Sequence, residues 1–179
     1  MSPSPLIVFS AFESTADPRL QGWATFRQSV QTGSFATATA PEAPARPRAR
    51  APGVPTGHSG IWRLLAPNSR ELGRSSSVYG SFSGARAHVL ELKTVVEDMV
   101  ATTVTGPVAG THGWMIAVGG VVVMTSGRWY GAGSSSREAA FGTIEAFRKA
   151  VVAEDARYSP GPGRRGNMVL TEEERASLW

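Results

Sequence analysis

Short apolar runs broken by turn residues alternate with longer stretches in which apolar positions recur every three or four residues, and this pattern places most elements of the chain. Residues 114–118 and 121–125 are apolar runs flanking Gly119-Gly120, a pair that supplies the positive φ of a two-residue hairpin turn. Upstream, residues 61–65 read as the corresponding strand, followed by a turn at Pro67-Asn68-Ser69. After each hairpin a short extended stretch passes through Tyr79 or Tyr130 and leads into an amphipathic helix. The first helix carries Ala85, His88 or Val89, Leu92, Val95 or Val96, and Met99 on one stripe, with Ser83 as its expected N-cap. The second carries Ala140, Ile144, Phe147 and Val151, opened by Ser135 with Glu138 as a capping box.

These two stretches repeat one another. Ile61-Trp62-Arg63-Leu64-Leu65 aligns with Gly113-Trp114-Met115-Ile116-Ala117 at an offset of 52, tryptophan on tryptophan. Val78-Tyr79-Gly80 aligns with Trp129-Tyr130-Gly131 at an offset of 51, as do Arg86 and Arg137. The residue lost between the two blocks falls in the turn, where length changes are tolerated best. Each copy is too small to hide its apolar face alone, so the two should bury their faces together. The expected fold class is therefore α+β: two tandem β-β-β-α repeats forming a pseudo-symmetric unit with an antiparallel sheet and two packed helices, plus a flexible N-terminal arm and a C-terminal tail. The expected division is an N-terminal segment at 1–40, a Pro/Arg-rich linker at 41–60, repeats at 61–112 and 113–157, and a linker with a short C-terminal helix at 158–179.

Outside the repeats the pattern is weaker. Residues 6–12 look like a short strand, and residues 23–30 suit either a strand or a helix. They hold too little core to fold alone, so they either dock through Phe9, Phe12, Trp23 and Phe26 or stay loose. Pro41, Pro44, Pro47, Pro52 and Pro55, interleaved with Ala, Arg and Gly, favour extended linker conformations. Residues 158–167 read as a second linker, and Thr171 with Glu174 as a capping box for a final helix ending in Leu178 and Trp179.

Composition narrows the chemistry. With 179 residues and 41% hydrophobic content, the chain has the size of one ordinary domain rather than a large multidomain machine. It has no cysteine, which removes disulfides, thiolate metal sites and cysteine nucleophiles together. The net charge of +4 is concentrated at 41–74, where Arg46, Arg48, Arg50, Arg63, Arg70 and Arg74 face only Glu42 and Glu71. Arginines on such an arm would contact phosphates with salt-sensitive affinity but carry no base code. No basic residue precedes Leu6-Ile7-Val8-Phe9, and the apolar run at 115–124 is broken by glycines well short of the roughly 20 residues a membrane span needs. The expectation is a soluble, cytoplasmic protein that does not associate with a membrane.

The tandem pattern of an aromatic strand, a turn, a second strand ending near Ser, and a Tyr-Gly step into an amphipathic helix resembles the YegP-like family of small tandem-repeat proteins. The residues that carry it are Trp62, Leu64, Ala66, Asn68, Ser76 and Tyr79, then Trp114, Ile116, Val118, Ser126 and Tyr130, over about residues 60–153. Where that family has Asn-Gly after a Lys-Ala step, this chain has Pro67-Asn68-Ser69 and Val118-Gly119-Gly120. The resemblance implies paired β-β-β-α repeats and supplies no reaction.

Candidate chemistry is sparse. His58, His88 and His112 show no ligand spacing and no accompanying acidic cluster, so no metal site and no cofactor are expected. Ser75, Ser76, Ser77 and Ser134, Ser135, Ser136 belong to no nucleophile motif. The loops before the two helices are the most suggestive feature. Gly80, Ser83, Gly84 and Arg86 in the first, and Gly131, Gly133, Ser135 and Arg137 in the second, combine free helix N–H groups with hydroxyls and a cation, a pattern that suits a phosphate or carboxylate but better suits ordinary capping. Trp62, Trp114, Trp129, Tyr79 and Tyr130 suit either a base-stacking platform or, better, a shared interior. The reading these observations favour is a non-enzymatic interaction or accessory protein that docks on a larger assembly through its arm and tail, with a protein partner. The alternatives are a nucleic-acid-binding accessory protein using Arg46, Arg48, Arg50 and Arg63 with the helix starts, and an enzyme acting on a small anion.

Overall fold

The computed structural model describes residues 4–12, 17–33 and 59–159. Their elements, in chain order, are β1 (Leu6–Phe12), α1 (Pro18–Thr32), β2 (Ser59–Leu65), β3 (Glu71–Ser75), α2 (Phe82–Thr94), β4 (Val100–Thr105), β5 (His112–Val118), β6 (Val121–Thr125), α3 (Gly133–Lys149) and β7 (Val151–Ser159). A 3-10 turn at Val96–Asp98 links α2 to β4. The strands form one seven-stranded sheet in the order β4-β5-β6-β3-β2-β1-β7. The fold is α+β, with a mixed sheet rather than the antiparallel one expected, because β1 runs parallel to β7 while pairing antiparallel with β2. Among the described residues there are three α-helices, α1 standing outside the two expected in the repeats.

Residue alternation along the strands gives the sheet two buried faces. Ile7 and Phe9 on β1, Trp62 and Leu64 on β2, and Trp114 and Ile116 on β5 point one way and pack with Ala85, Val89 and Leu92 of α2 and Ala140, Ile144 and Phe147 of α3. Phe12 and Ile61 have the opposite parity and pack with Leu20 and Trp23 of α1. Thus α2 and α3 cover one face and α1 crosses the other. The C-terminal end of α1 abuts β4, where a Cβ on Gly33 would collide with the Thr105 carbonyl. The two helices on the main face are tied together by Lys93 of α2, whose Nζ donates to the carbonyls of Phe147 (3.0 Å), Arg148 (3.2 Å) and Ala150 (2.7 Å) at the end of α3.

Several expectations are corrected. Residues 6–12 are neither loose nor merely docked: β1 is an interior strand, flanked by β2 and β7. Of the two alternatives for residues 23–30 the helix holds: they lie within α1, whose N-cap Asp17 accepts from the Arg19 backbone N–H at 2.9 Å. The extended stretches through the tyrosines make only isolated bridges, Gly60↔Tyr79 and His112↔Tyr130. The third strand after each hairpin instead follows the helix: β4 after α2, and β7 after α3. Val151 therefore belongs to β7, not to the helical stripe, and β7 runs through Ser159, past the expected repeat boundary at 157. Helix α2 is capped by Ser81 rather than Ser83, its hydroxyl accepting from Gly84 N–H at 3.1 Å. Helix α3 starts after Ala132 with no side-chain cap, so Ser135 does not open it.

The hairpin turn between β5 and β6 is as expected, with Gly119 at φ 56° and Gly120 at φ 82°. Trp62 and Trp114 are both fully buried, and each backbone N–H donates to a serine hydroxyl at 3.3 Å, Ser75 and Ser126 respectively. No helix among the described residues is long and apolar enough to cross a membrane.

Candidate functional site

The first candidate region lies on the α1 face of the sheet, where β1, β2 and β3 meet the N-terminal turn of α1. Strand alternation sets Arg63 between Ile61 and Leu65, on the face opposite Trp62 and Leu64. Register then places Arg74 of β3 directly across from Arg63. A register irregularity between Leu64 and Leu65 brings Glu71 level with Leu65, and its carboxylate lies between the two cations. Arg74 Nε donates to Glu71 Oε1 at 2.5 Å, and Arg63 Nη1 stands 3.8 Å from Glu71 Oε2. Arg63 Nη2 donates to Ser10 Oγ of β1 at 3.3 Å. Above them, α1 brings Trp23 and Arg19, and the residues enclose a cleft of about 180 Å³. Asp17 accepts from Arg19 Nη2 at 2.8 Å, and this neighbour holds its carboxyl below the usual carboxylate range. Gly127, in the loop after β6, lies against the pair: a Cβ there would collide with Glu71 Oε1 and crowd Arg74 Nη2.

The loops before the helices do not converge on one ligand. Gly80, Ser83 and Gly84 are exposed and Arg86 is half-buried at the start of α2, where Ser81 already accepts the Gly84 N–H. At the start of α3, Gly131, Ser135 and Arg137 are exposed and Gly133 is half-buried beside the His112 ring. The buried hydroxyl there is that of Ser136, which donates to the Gly113 carbonyl at 2.7 Å and so fastens the helix to β5. Arg46, Arg48 and Arg50 lie outside the described residues, as do His58 and the expected C-terminal helix. Arg63, the remaining arginine of that group, turns into the cleft. Trp62 and Trp114 are core residues, not an open stacking platform.

A second polar cluster sits beneath α2. Trp62 Nε1 donates to the Tyr79 hydroxyl at 3.1 Å, and Tyr79 Oη lies 2.6 Å from His88 Nδ1. With its oxygen accepting from the indole, the hydroxyl is free to donate to an unprotonated Nδ1. Burial pushes the Tyr79 hydroxyl up to about 12, against the opposing pull of the Trp62 donor. This chain locks the tyrosine onto α2. Among the described residues no group of three or more His, Asp or Glu side chains could hold a metal ion.

The third feature is the sheet's edge at β4, which pairs with β5 on one side and with no described strand on the other. Its sequence, Val100-Ala101-Thr102-Thr103-Val104-Thr105, carries no charge and no proline, whereas the opposite edge, β7, includes Glu154, Asp155 and Arg157. Charged side chains and prolines are the usual means of discouraging strand addition, and β4 has neither.

Sequence alone marks Arg63 as a phosphate contact and counts Arg74 and Glu71 in the same charged stretch. Phe12 and Trp23 are legible as docking aromatics, while Ser10 carries no local signal and nothing local sets Glu71 and Arg74 beside Arg63. The clue available was an arginine at the alternate position of an otherwise apolar strand. No protein-family model matches the chain, and neither a curated protein nor a solved structure matches it.

Proposed function

We propose that the protein is a non-enzymatic interaction protein that joins a larger assembly by adding a partner's extended segment to its sheet. The open outer edge of β4 carries this reading: six uncharged residues, rich in β-branched side chains, leave a row of backbone donors and acceptors without a described partner. Val100, at 62% exposure, is an apolar contact at the start of that edge.

The same proposal takes residues 61–157 as a duplicated unit related to the YegP-like family. In support stand the matching Trp62–Ser75 and Trp114–Ser126 hydrogen bonds and the matching tyrosine bridges.

Affinity capture from the source cell, comparing the wild-type chain with a Val100→Lys/Thr102→Lys variant, tests the function. Lysines on the edge oppose strand addition while remaining solvated. Partners lost from the variant at an unchanged melting temperature support the reading; partners retained at equal yield overturn it.

A further inference from the structure

We propose that the cleft between α1 and strands β1, β2 and β3 binds a small aliphatic carboxylate, either a free acid or the end of an acidic side chain. This site stands apart from the β4 edge, with β5 and β6 between them in the sheet, and its test does not depend on that edge.

Donor accounting leads to it. Each guanidinium has five N–H donors and no acceptor. Arg74 commits Nε to Glu71, and neither of its terminal nitrogens makes a hydrogen bond among the described residues, although its side chain is only 21% exposed. Arg63 commits Nη2 to Ser10, holds Nη1 beyond hydrogen-bond reach of Glu71, and keeps a buried Nε with no acceptor. In the adjoining wall, Trp23 is 3% exposed and its indole Nε1 also has no acceptor. Donors without acceptors cost free energy, and the terminal nitrogens of Arg74, which keep accessible surface, are the ones an incoming oxygen would meet first.

Charge points the same way. Arg63 and Arg74 are cross-strand partners on one face, a like-charge arrangement that opposes pairing of their strands. Among the described residues Glu71 is the one carboxylate set between them, so the trio keeps an excess positive charge. Two forks facing a shared space suit a planar carboxylate held by parallel N–H bonds. The remaining walls select among anions. Phe12 and Ile61 are apolar and nearly buried beside the arginines, so they would cover a short hydrocarbon body, which inorganic phosphate lacks.

The full-length chain, labelled with ¹⁵N, is titrated with butyrate while the arginine Nε–H and tryptophan indole resonances are followed. The proposal expects the signals of Arg63, Arg74 and Trp23 to move together and saturate. Arg74→Gln should weaken binding about tenfold, the loss of one charge-assisted contact. Glu71→Gln should tighten it several-fold, because the internal carboxylate competes for the same donors; this variant carries the test if Arg74→Gln fails to fold. Non-saturating shifts, or affinity unchanged in Glu71→Gln, would overturn the site, and inorganic phosphate binding the same resonances more tightly than butyrate would overturn the ligand class. A terminally blocked glutamate peptide that binds more tightly than butyrate assigns the carboxylate to a partner's side chain; weaker binding assigns it to a free acid.

Discussion

Phe9 and Trp62 face each other across β1 and β2, and neither exposes any surface. The N-terminal strand is therefore part of the main core. Deleting residues 1–57 removes β1 and α1, strips β7 of its neighbour and uncovers Ile61; we expect the truncated chain to lose its cooperative melt. The milder Phe9→Ala should cost about 3–5 kcal/mol by leaving a cavity against Trp62 and Phe82. Denaturant unfolding checks both, and a truncated chain that melts cooperatively would show β1 to be dispensable.

Alkaline pH should act through Tyr79. Its folded-state value of about 12 lies above the ordinary 10, so its contribution is fully present below about pH 10 and is lost as pH rises through 12. Wild-type stability should fall across that window more than that of Tyr79→Phe. At neutral pH the same variant should be about 1–2 kcal/mol less stable, because Trp62 Nε1 and His88 Nδ1 lose their shared partner. Tyrosinate absorbance against pH, read beside unfolding midpoints, gives both quantities.

Lys93 closes the C-terminal end of α3 with a side chain from α2. Replacing it with Met keeps most of the aliphatic stem and removes the three donors, so a loss of about 1–3 kcal/mol is expected. Amide exchange should rise first around residues 147–151, where β7 begins; exchange unchanged there would refute the capping role.

Gly127 lets the Glu71–Arg74 pair lie flat against the loop after β6. In Gly127→Ala the new methyl meets the carboxylate, and the variant should be destabilised by about 1–3 kcal/mol. The effect should shrink in a Glu71→Ala background, since the colliding oxygen is then gone. A double-mutant cycle in urea reads the coupling, and strict additivity would mean that the two sites do not touch.

Local pattern was enough for much of the architecture. Gly119-Gly120 defines its hairpin because two consecutive positive-φ positions are cheap only for glycine, and the apolar spacing of Val89 and Leu92 or Ile144 and Phe147 defines its helix because a 3.6-residue period allows one buried face. Those signals are carried by neighbours in the chain. What tertiary structure alone decided was every partnership between distant segments: Leu6 beside Val151 in a parallel pair, Val100 beside Ala117, and Ser10, Trp23, Arg63 and Arg74 around one cleft. Strands 6–12 and 100–105 carry the same kind of short β-branched or aromatic run, yet one became interior and the other an edge. A strand's rank in a sheet depends on which other segments reach it, and that is a property of the whole packed core rather than of its own residues.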